Sequence, residues 1–445
     1  MKHVVIVGGG FAGLNCAQKL AVDPDVHITL IDKNDYHQFQ PLLYQVASAA
    51  LSTTDVAFML RSVVAENTNI DVKMGQVDAL DLKTRTVTTS QGQTYQGDFL
   101  VLAAGSQPNF SGTPGAETNT FPLYSLRDAE KIRSRILAVC EAADGDPSLL
   151  EQGALNFVIV GGGPTGTEIA GALADMIDDT LRSEYRDIPI QQAKIFLVNH
   201  GKAVLSAFTE KSQLYAARML EKRGVELRLG LKVDEVSPDS VVLSDGTKIL
   251  SHCIIWAGGL KASAVSGKMG IQPGHGGRVN VEPDLTLAGF PGVYALGDFA
   301  NLAGTEGKPL PQLASVAEQT GKWCAKNIAA DIQGRPREPF HYRDFGIMAM
   351  IGRNAAVAEV GAGRHELEGV IGFAAWLGVH VALLSTSRAR VETFVEWAWD
   401  YFGKIRGAQI LDRTGEARIH WAGDTRPQTL HQAETESKPK AVRPS

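Results

Sequence analysis

The sequence predicts an α/β fold that uses one strand, turn and helix unit twice and then changes character. Three observations carry this. Two segments resemble each other, VVIVGGGFAGLNCA at 4–17 and FVIVGGGPTGTEIA at 157–170. Each is a β-branched run, a glycine turn and a helix-forming stretch, the setting in which G-x-G-x-x-G marks a Rossmann-like dinucleotide-binding domain. A stretch rich in aromatic residues and poor in charge follows near the C-terminus. The 445 residues have room for two or three domains, and 44% hydrophobic with 21% charged residues is ordinary globular usage. Basic residues number 43 against 49 acidic ones, a net charge of -6 that argues against nucleic acid as a partner. Any affinity for membranes or anions must be local.

In the first unit Gly8 permits the tight turn, Gly10 lets backbone approach a pyrophosphate and Gly13 lets the helix pack on the strand. The helix N-terminus then faces the phosphates. A second apolar run, HITLI at 27–31, ends at Asp32, 19 residues after Gly13, in register to bond a ribose hydroxyl.

The second unit supplies Gly161, Gly163 and Gly166, with Glu168 at the start of the helix behind the turn. Its second apolar run, KIFLV at 194–198, leads into Asn199 where an acid would accept the 2'-hydroxyl of NADH. A neutral amide removes a repulsion against a 2'-phosphate, and His200 and Lys202 lie just beyond, so NADPH as well as NADH is open as the nucleotide. A strand end displaced by a residue or two, or backbone contacts in place of the acid, would account for Asn199 as well.

Two further buried strands end in small residues where backbone nears a ligand: DFLVLAAGSQP at 98–108, which brings Ala104 and Gly105, and CIIWAGG at 253–259, which brings Gly258 and Gly259. They read as paired crossover points. The strand GVYALGD at 292–298 closes on Gly297 and Asp298, whose carboxylate suits a ribityl hydroxyl. These residues resemble the flavoproteins with two dinucleotide-binding domains, in which the first fold holds FAD and an inserted second fold holds NAD(P)H. That resemblance implies an FAD domain over 1–112 and 280–330, an NAD(P)H domain over 113–279, a membrane-surface region over 331–420 and a disordered tail over 421–445.

Within that superfamily, the segment YHQFQPLLYQVASAALS at 36–52 resembles the signature of type II NADH:quinone oxidoreductases, single-subunit respiratory enzymes of the membrane surface. The run GGGPTGTE at 161–168, FGIMAMIGRNAAV at 345–357 and AAWLGVHVALL with Arg388 behind it agree. The resemblance implies hydride transfer from NAD(P)H to FAD and delivery of two electrons to a quinone. Glu168 corresponds to the family's carboxylate near flavin and nicotinamide, although it also suits a helix N-terminus. The quinone motif Ala-Gln-x-Ala-x-Gln stands here as ASVAEQ at 314–319, with Ser315 in place of the first glutamine and Gln319 kept. Pro41 and Leu42 join them on the expected quinone side. Read without the resemblance, 314–330 is an amphipathic helix with Gln319 on its polar face.

The C-terminal part is read independently. Segment 331–445 carries net +1 against -7 for 1–330. Residues 369–387 lack Asp, Glu, Lys and Arg, but these 19 positions hold three glycines and a polar end, short of the ~20 apolar residues a span requires. No crossing, and no proton-pumping path of its own, is expected. Val391, Phe394, Val395, Ala398, Phe402 and Ile405 recur at helical spacing among Trp397, Trp399 and Tyr401, flanked by Arg388, Arg390, Lys404 and Arg406. That pattern suits an interfacial helix, and equally one packed on the catalytic domains or in a homodimer contact. With the resemblance it implies peripheral attachment to the cytoplasmic side of the cell membrane. Residues 423–445 are polar and hold several prolines, as disordered chain does.

Cys16, Cys140, Cys253 and Cys324 form no CxxC and read as buried thiols, which argues against a dithiol relay and fits sulfide:quinone reductases poorly. No HExxH-type cluster suggests a metal, and no Ser-centred elbow appears. The N-terminus passes straight into the first strand, so export is not expected. Two other functions stay open: a soluble NADPH-dependent reductase of a protein acceptor such as ferredoxin, and a redox sensor that binds FAD and NAD(P)H.

Overall fold

A computed structural model describes residues 1–304, 309–361, 363–384, 387–403, 406–411, 419 and 421. The first apolar run becomes strand Lys2–Val7, whose last four side chains are buried, and it sits at the centre of a six-stranded sheet. Parallel neighbours Val26–Asp32 and Phe99–Leu102 flank it, followed outward by Ile70–Met74 on one side and Phe290–Ala295 on the other. Continuous β-branched runs suit such strands because helices cover both faces.

The second unit repeats the arrangement. Strand Asn156–Val160 pairs in parallel with Lys194–Asn199 and Cys253–Trp256 within a five-stranded sheet. Each sheet is accompanied by a three-stranded antiparallel meander, Val77–Asp81, Thr86–Thr89 and Thr94–Gln96 in the first unit and Val233–Ser237, Ser240–Leu243 and Lys248–Leu250 in the second. Beyond the two small-residue strand ends, Ser106–Pro108 and Leu260–Ala262 pair antiparallel, so the chain leaves and re-enters through adjacent backbone. All four cysteines are free and buried, as read.

After helix Ala314–Ile332 comes a three-stranded antiparallel sheet, Gly346–Gly352, Ala355–Val360 and His365–Glu368. It lies on helix Pro164–Met176 so closely that a Cβ at Gly171 would stand 1.9 Å from the Ile351 carbonyl oxygen. Helix Gly369–Leu383 follows, with Gly372, Phe373, Trp376 and His380 buried on one face and Val370, Ile371, Val379 and Leu383 exposed on the other. Helix Ser387–Gly403 exposes 64% of Val391, 61% of Phe394, 55% of Val395 and 70% of Trp399. Among the described residues no helix is long and apolar enough to cross a membrane.

The aromatic helix departs from the expected stripe in two ways. Trp397 turns inward and packs on Trp376, and Arg406, expected as a flanking cation, is half-buried and donates to the Ser48 and Ala172 carbonyls. Lys404, Ile405, the Phe402 side chain and, apart from Trp421, the expected tail lie outside the described residues.

Candidate active site

In the first turn Gly8 has φ +106°, and a Cβ there would stand 2.1 Å from the Ala103 carbonyl oxygen. A Cβ on Gly13 would stand 1.9 Å from the Gly8 oxygen, whereas one on Gly10 would meet nothing within 4 Å. Gly10 thus faces the open side, at the N-cap of helix Phe11–Leu20. Asp32 accepts from the backbone N–H of Gly9 at 2.6 Å and of Asn34 at 2.8 Å. Burial pushes its pKa up, and those two donors oppose the shift. The open N-terminus, the close backbone and the acid fit the two phosphates and the ribose of a dinucleotide.

The second turn copies the first, with φ +111° at Gly161, a Gly166 Cβ position 1.8 Å from the Gly161 oxygen, and open space at Gly163. Asn199 stands in the structural place of Asp32: its Oδ1 accepts from Gly162 N–H at 3.1 Å. Its Nδ2 donates to the carbonyls of Ala203 at 2.8 Å and Gly201 at 3.3 Å, bonds a carboxylate cannot make. Asn199 ends its strand in register, so no displacement of the strand end accounts for the amide.

The Gly-Asp element returns to the first turn. Gly297, at φ +58°, approaches Ala12 and Ala317, and Asp298 Oδ2 accepts from the Ser106 hydroxyl at 2.9 Å. Tyr124 completes the group, with its hydroxyl 3.1 Å from Ser106 N and 3.0 Å from Ser106 Oγ. Burial raises the Asp298 pKa, and the Ser106 bond and the Arg278 charge hold it down. Ala104 and Gly105 lie beside this cluster, whereas Gly258 and Gly259 are exposed at the matching strand end of the second unit.

Glu168 lies in the second turn of helix Pro164–Met176 rather than at its start, too deep for an N-terminal stabiliser. It is half-buried, accepts from Met350 N–H at 3.3 Å, and the loss of solvent around it pushes its pKa up to about 8. The Trp376 indole N–H is the other donor beside this carboxyl, though it falls short of a formed hydrogen bond and has no other partner among the described residues. Trp376 stacks on His380 at 4.0 Å, and burial lowers the His380 pKa to about 4, so the ring is neutral at physiological pH. Tyr44 donates to Met350 Sδ at 3.0 Å and accepts from Gln45 Nε2 at 3.1 Å.

The residues expected on the quinone side are dispersed in environment. Ser315 Oγ and Tyr342 OH are 2.9 Å apart, and Gln319 exchanges two 3.0 Å bonds with the Arg343 backbone. Leu42 is completely buried in the core and Pro41 half-buried. A cavity of about 190 Å³ lies nearby, lined by Phe11, His37, Glu318, Leu383 and Arg390. Sequence reasoning missed Tyr124, Met350, Trp376 and the inward turn of Trp397. Met350 and Trp376 left a trace, since both lie in segments that carry the family resemblance, but nothing in the sequence joined them to Glu168.

The paired sheets and turns define a nucleotide-dependent flavoprotein scaffold, and residues 2–321 match the pyridine nucleotide-disulphide oxidoreductase family. Two relatives span nearly the whole chain. The type II NADH:quinone oxidoreductase NdhA of Mycobacterium tuberculosis is 37% identical over 92% of this chain and 89% of its own length. Ndh of the same organism, also a type II NADH:quinone oxidoreductase, is 36% identical over 94% and 92%. The structure of NDH2 from Plasmodium falciparum in complex with NADH shares the fold, with a TM-score of 0.83, 18% identity and coverage of 93% and 100%. The chain belongs to the type II NADH:quinone oxidoreductase family, and is an enzyme of the NADH dehydrogenase type.

Proposed function

We propose that this chain oxidises a nicotinamide nucleotide at the second turn and reduces a quinone beside the C-terminal helices, with FAD held by the first turn. When bound, the flavin accepts the hydride and passes on two electrons; the chain binds, orients and handles protons. Gly8, Gly10, Gly13 and Asp32 hold the FAD pyrophosphate and ribose, with Ala104, Gly105, Gly297 and Asp298 along the rest of the cofactor. Gly161, Gly163, Gly166, Asn199, Gly258 and Gly259 receive the nucleotide. On this reading the FAD domain comprises 1–112 and 280–330, and the nucleotide domain 113–279.

The observation that carries the reading is Glu168. A carboxyl with a pKa of about 8 beside the second turn is protonated at pH 7 and can exchange a proton as the acceptor is reduced. Ser315 and Gln319, together with Pro41 and Leu42, are assigned to the quinone side, and a cavity lined by Phe11, Glu318, Leu383 and Arg390 reaches both C-terminal helices. Those faces support peripheral attachment to the cytoplasmic membrane surface. They favour a lipid-dissolved acceptor over a soluble protein one, since Val370, Ile371, Val391, Phe394 and Val395 are all exposed and uncharged. A homodimer contact on this face is the competing use.

The test is steady-state oxidation of NADH and NADPH by the purified flavoprotein, with and without a short-chain quinone. Fast quinone-dependent turnover is expected. Flavin reduction without quinone turnover would replace this reading by the sensor.

A further inference from the structure

The surroundings of Glu168 come from separate parts of the chain. Its hydrogen bond comes from the Met350 backbone, in strand Gly346–Gly352. The Met350 sulfur accepts from Tyr44, Tyr44 accepts from Gln45, and Gln45 Oε1 accepts from the Trp397 indole N–H at 2.7 Å. Trp397 also packs 5.4 Å from Trp376, the second donor beside Glu168, and Trp376 meets the Tyr44 ring edge-on at 6.3 Å. A helix whose outer face is exposed and apolar therefore sends one indole inward to the end of a polar chain that terminates at the site carboxyl.

We propose that Trp397 is a positioning residue for Glu168: its indole fixes Gln45, Gln45 fixes the Tyr44 hydroxyl, and Tyr44 holds Met350 where its N–H meets the carboxyl. The proposal rests on the reading of Glu168 as the proton-handling group. It makes the seating of helix Ser387–Gly403 part of the chemical step as well as of attachment. Without Trp397, Gln45 and Tyr44 can reorient, the Met350 sulfur loses its donor, and the 3.3 Å bond from Met350 N–H to Glu168 can lengthen within the sheet. The carboxylate then loses an N–H that favours its ionised form while remaining largely desolvated, so its ionisation moves to higher pH. The titratable and charged groups around this path include Tyr44 on the 43–47 helix, His380 behind Trp376, Asp175 on the helix of Glu168, and Arg406, which in turn faces Asp179, Arg353 and Asp400, the last on the helix of Trp397 with its pKa raised by burial to about 6. None lies between Trp397 and Met350 except Tyr44, which is un-ionised throughout the relevant range because burial raises its pKa.

The experiment measures kcat against pH for NADH and a short-chain quinone with the full-length flavoprotein, comparing wild type, Glu168→Gln, Trp397→Phe and the double variant. Flavin content and co-sedimentation with phosphatidylglycerol vesicles are measured in parallel. Glu168→Gln is expected to remove an ionisation from the profile. Trp397→Phe is expected to raise that ionisation by roughly 0.5 to 1 pH unit, with flavin content and vesicle binding unchanged. The double variant should show no further shift, and Trp397→His, which keeps a ring N–H, a smaller one. If Glu168→Gln leaves the profile intact, the reading of Glu168 fails and the proposal with it. If Glu168→Gln removes the ionisation and Trp397→Phe does not move it, the proposal alone fails. A downward shift reports water entering an opened site and also overturns it, as does a loss of turnover explained by lost vesicle binding. Should Trp397→Phe not fold, Gln45→Leu interrupts the same chain from the other end and carries the same expected upward shift.

Discussion

The Glu168 carboxyl gives up hydration without gaining a cation, and the sign of its effect on stability follows. An acid whose folded pKa is about 8 against an ordinary 4.5 keeps its proton in the folded chain over a range where the unfolded chain has released it. Stability contributed by this group therefore falls as pH rises from about 4.5 to 8 and is level above that. Glu168→Gln, which cannot ionise, should become progressively more stable than wild type across that window, by on the order of a few kcal/mol at pH 9, and melt correspondingly higher. Thermal melts at pH 5 and pH 9 check this, and equal differences at both would refute it. At the two turns the crowded glycines separate the two ligands. Gly13→Ala should cost FAD, read from absorbance of the purified protein, because the new methyl meets the Gly8 oxygen. Gly166→Ala should leave a yellow protein that binds nucleotide poorly, read from the KM. Asn199→Asp keeps the acceptor for Gly162 but faces two carbonyls with a charge, so NADH should gain on NADPH at a stability cost of about 1–3 kcal/mol. An unchanged coenzyme ratio would remove Asn199 from specificity.

At the level of elements, the C-terminal helix pair has two faces with different duties. Deleting 365–445 would remove strand His365–Glu368 from its sheet and Trp376 from the core, so release from membranes by that deletion would not separate attachment from unfolding. Replacing Val391, Phe394 and Val395 by serine alters only exposed positions. The triple variant should lose vesicle binding while still reducing its flavin with NADH; retained co-sedimentation would assign the face to another partner. The stripe itself was legible because 3.6-residue spacing is a local property. Which of the aromatic residues beside the stripe turns inward was not legible, since Trp397 and Trp399 are equally aromatic and differ only in what lies beneath them.

Across the whole molecule, charge contributes less to attachment than the sequence suggests. The chain carries net -6, Arg388 pairs with Glu392, Arg390 donates to the Leu384 carbonyl and Arg406 is engaged with the Ser48 and Ala172 carbonyls. Vesicle binding should therefore depend on the apolar faces and persist at about 1 M salt, where screening acts within roughly 3 Å. Release by salt would reverse that assignment. The antiparallel pairing of Ser106–Pro108 with Leu260–Ala262 ties the two units together at their crossover, a contact between strands 150 residues apart that the matching small-residue ends only hinted at.

By itself the sequence determined the two turns, their glycines, and the Asp32 and Asn199 positions. Each depends on a backbone conformation set within about 40 residues and on chemistry that only certain residue types supply. The tertiary structure alone decided the surroundings of Glu168. Its burial, the Met350 donor, the indole of Trp376 and the path to Trp397 come from segments near 44, 168, 350, 376 and 397. No local periodicity links such distant segments. Only packing removes the water around that carboxyl, and it is the loss of that water that raises its pKa.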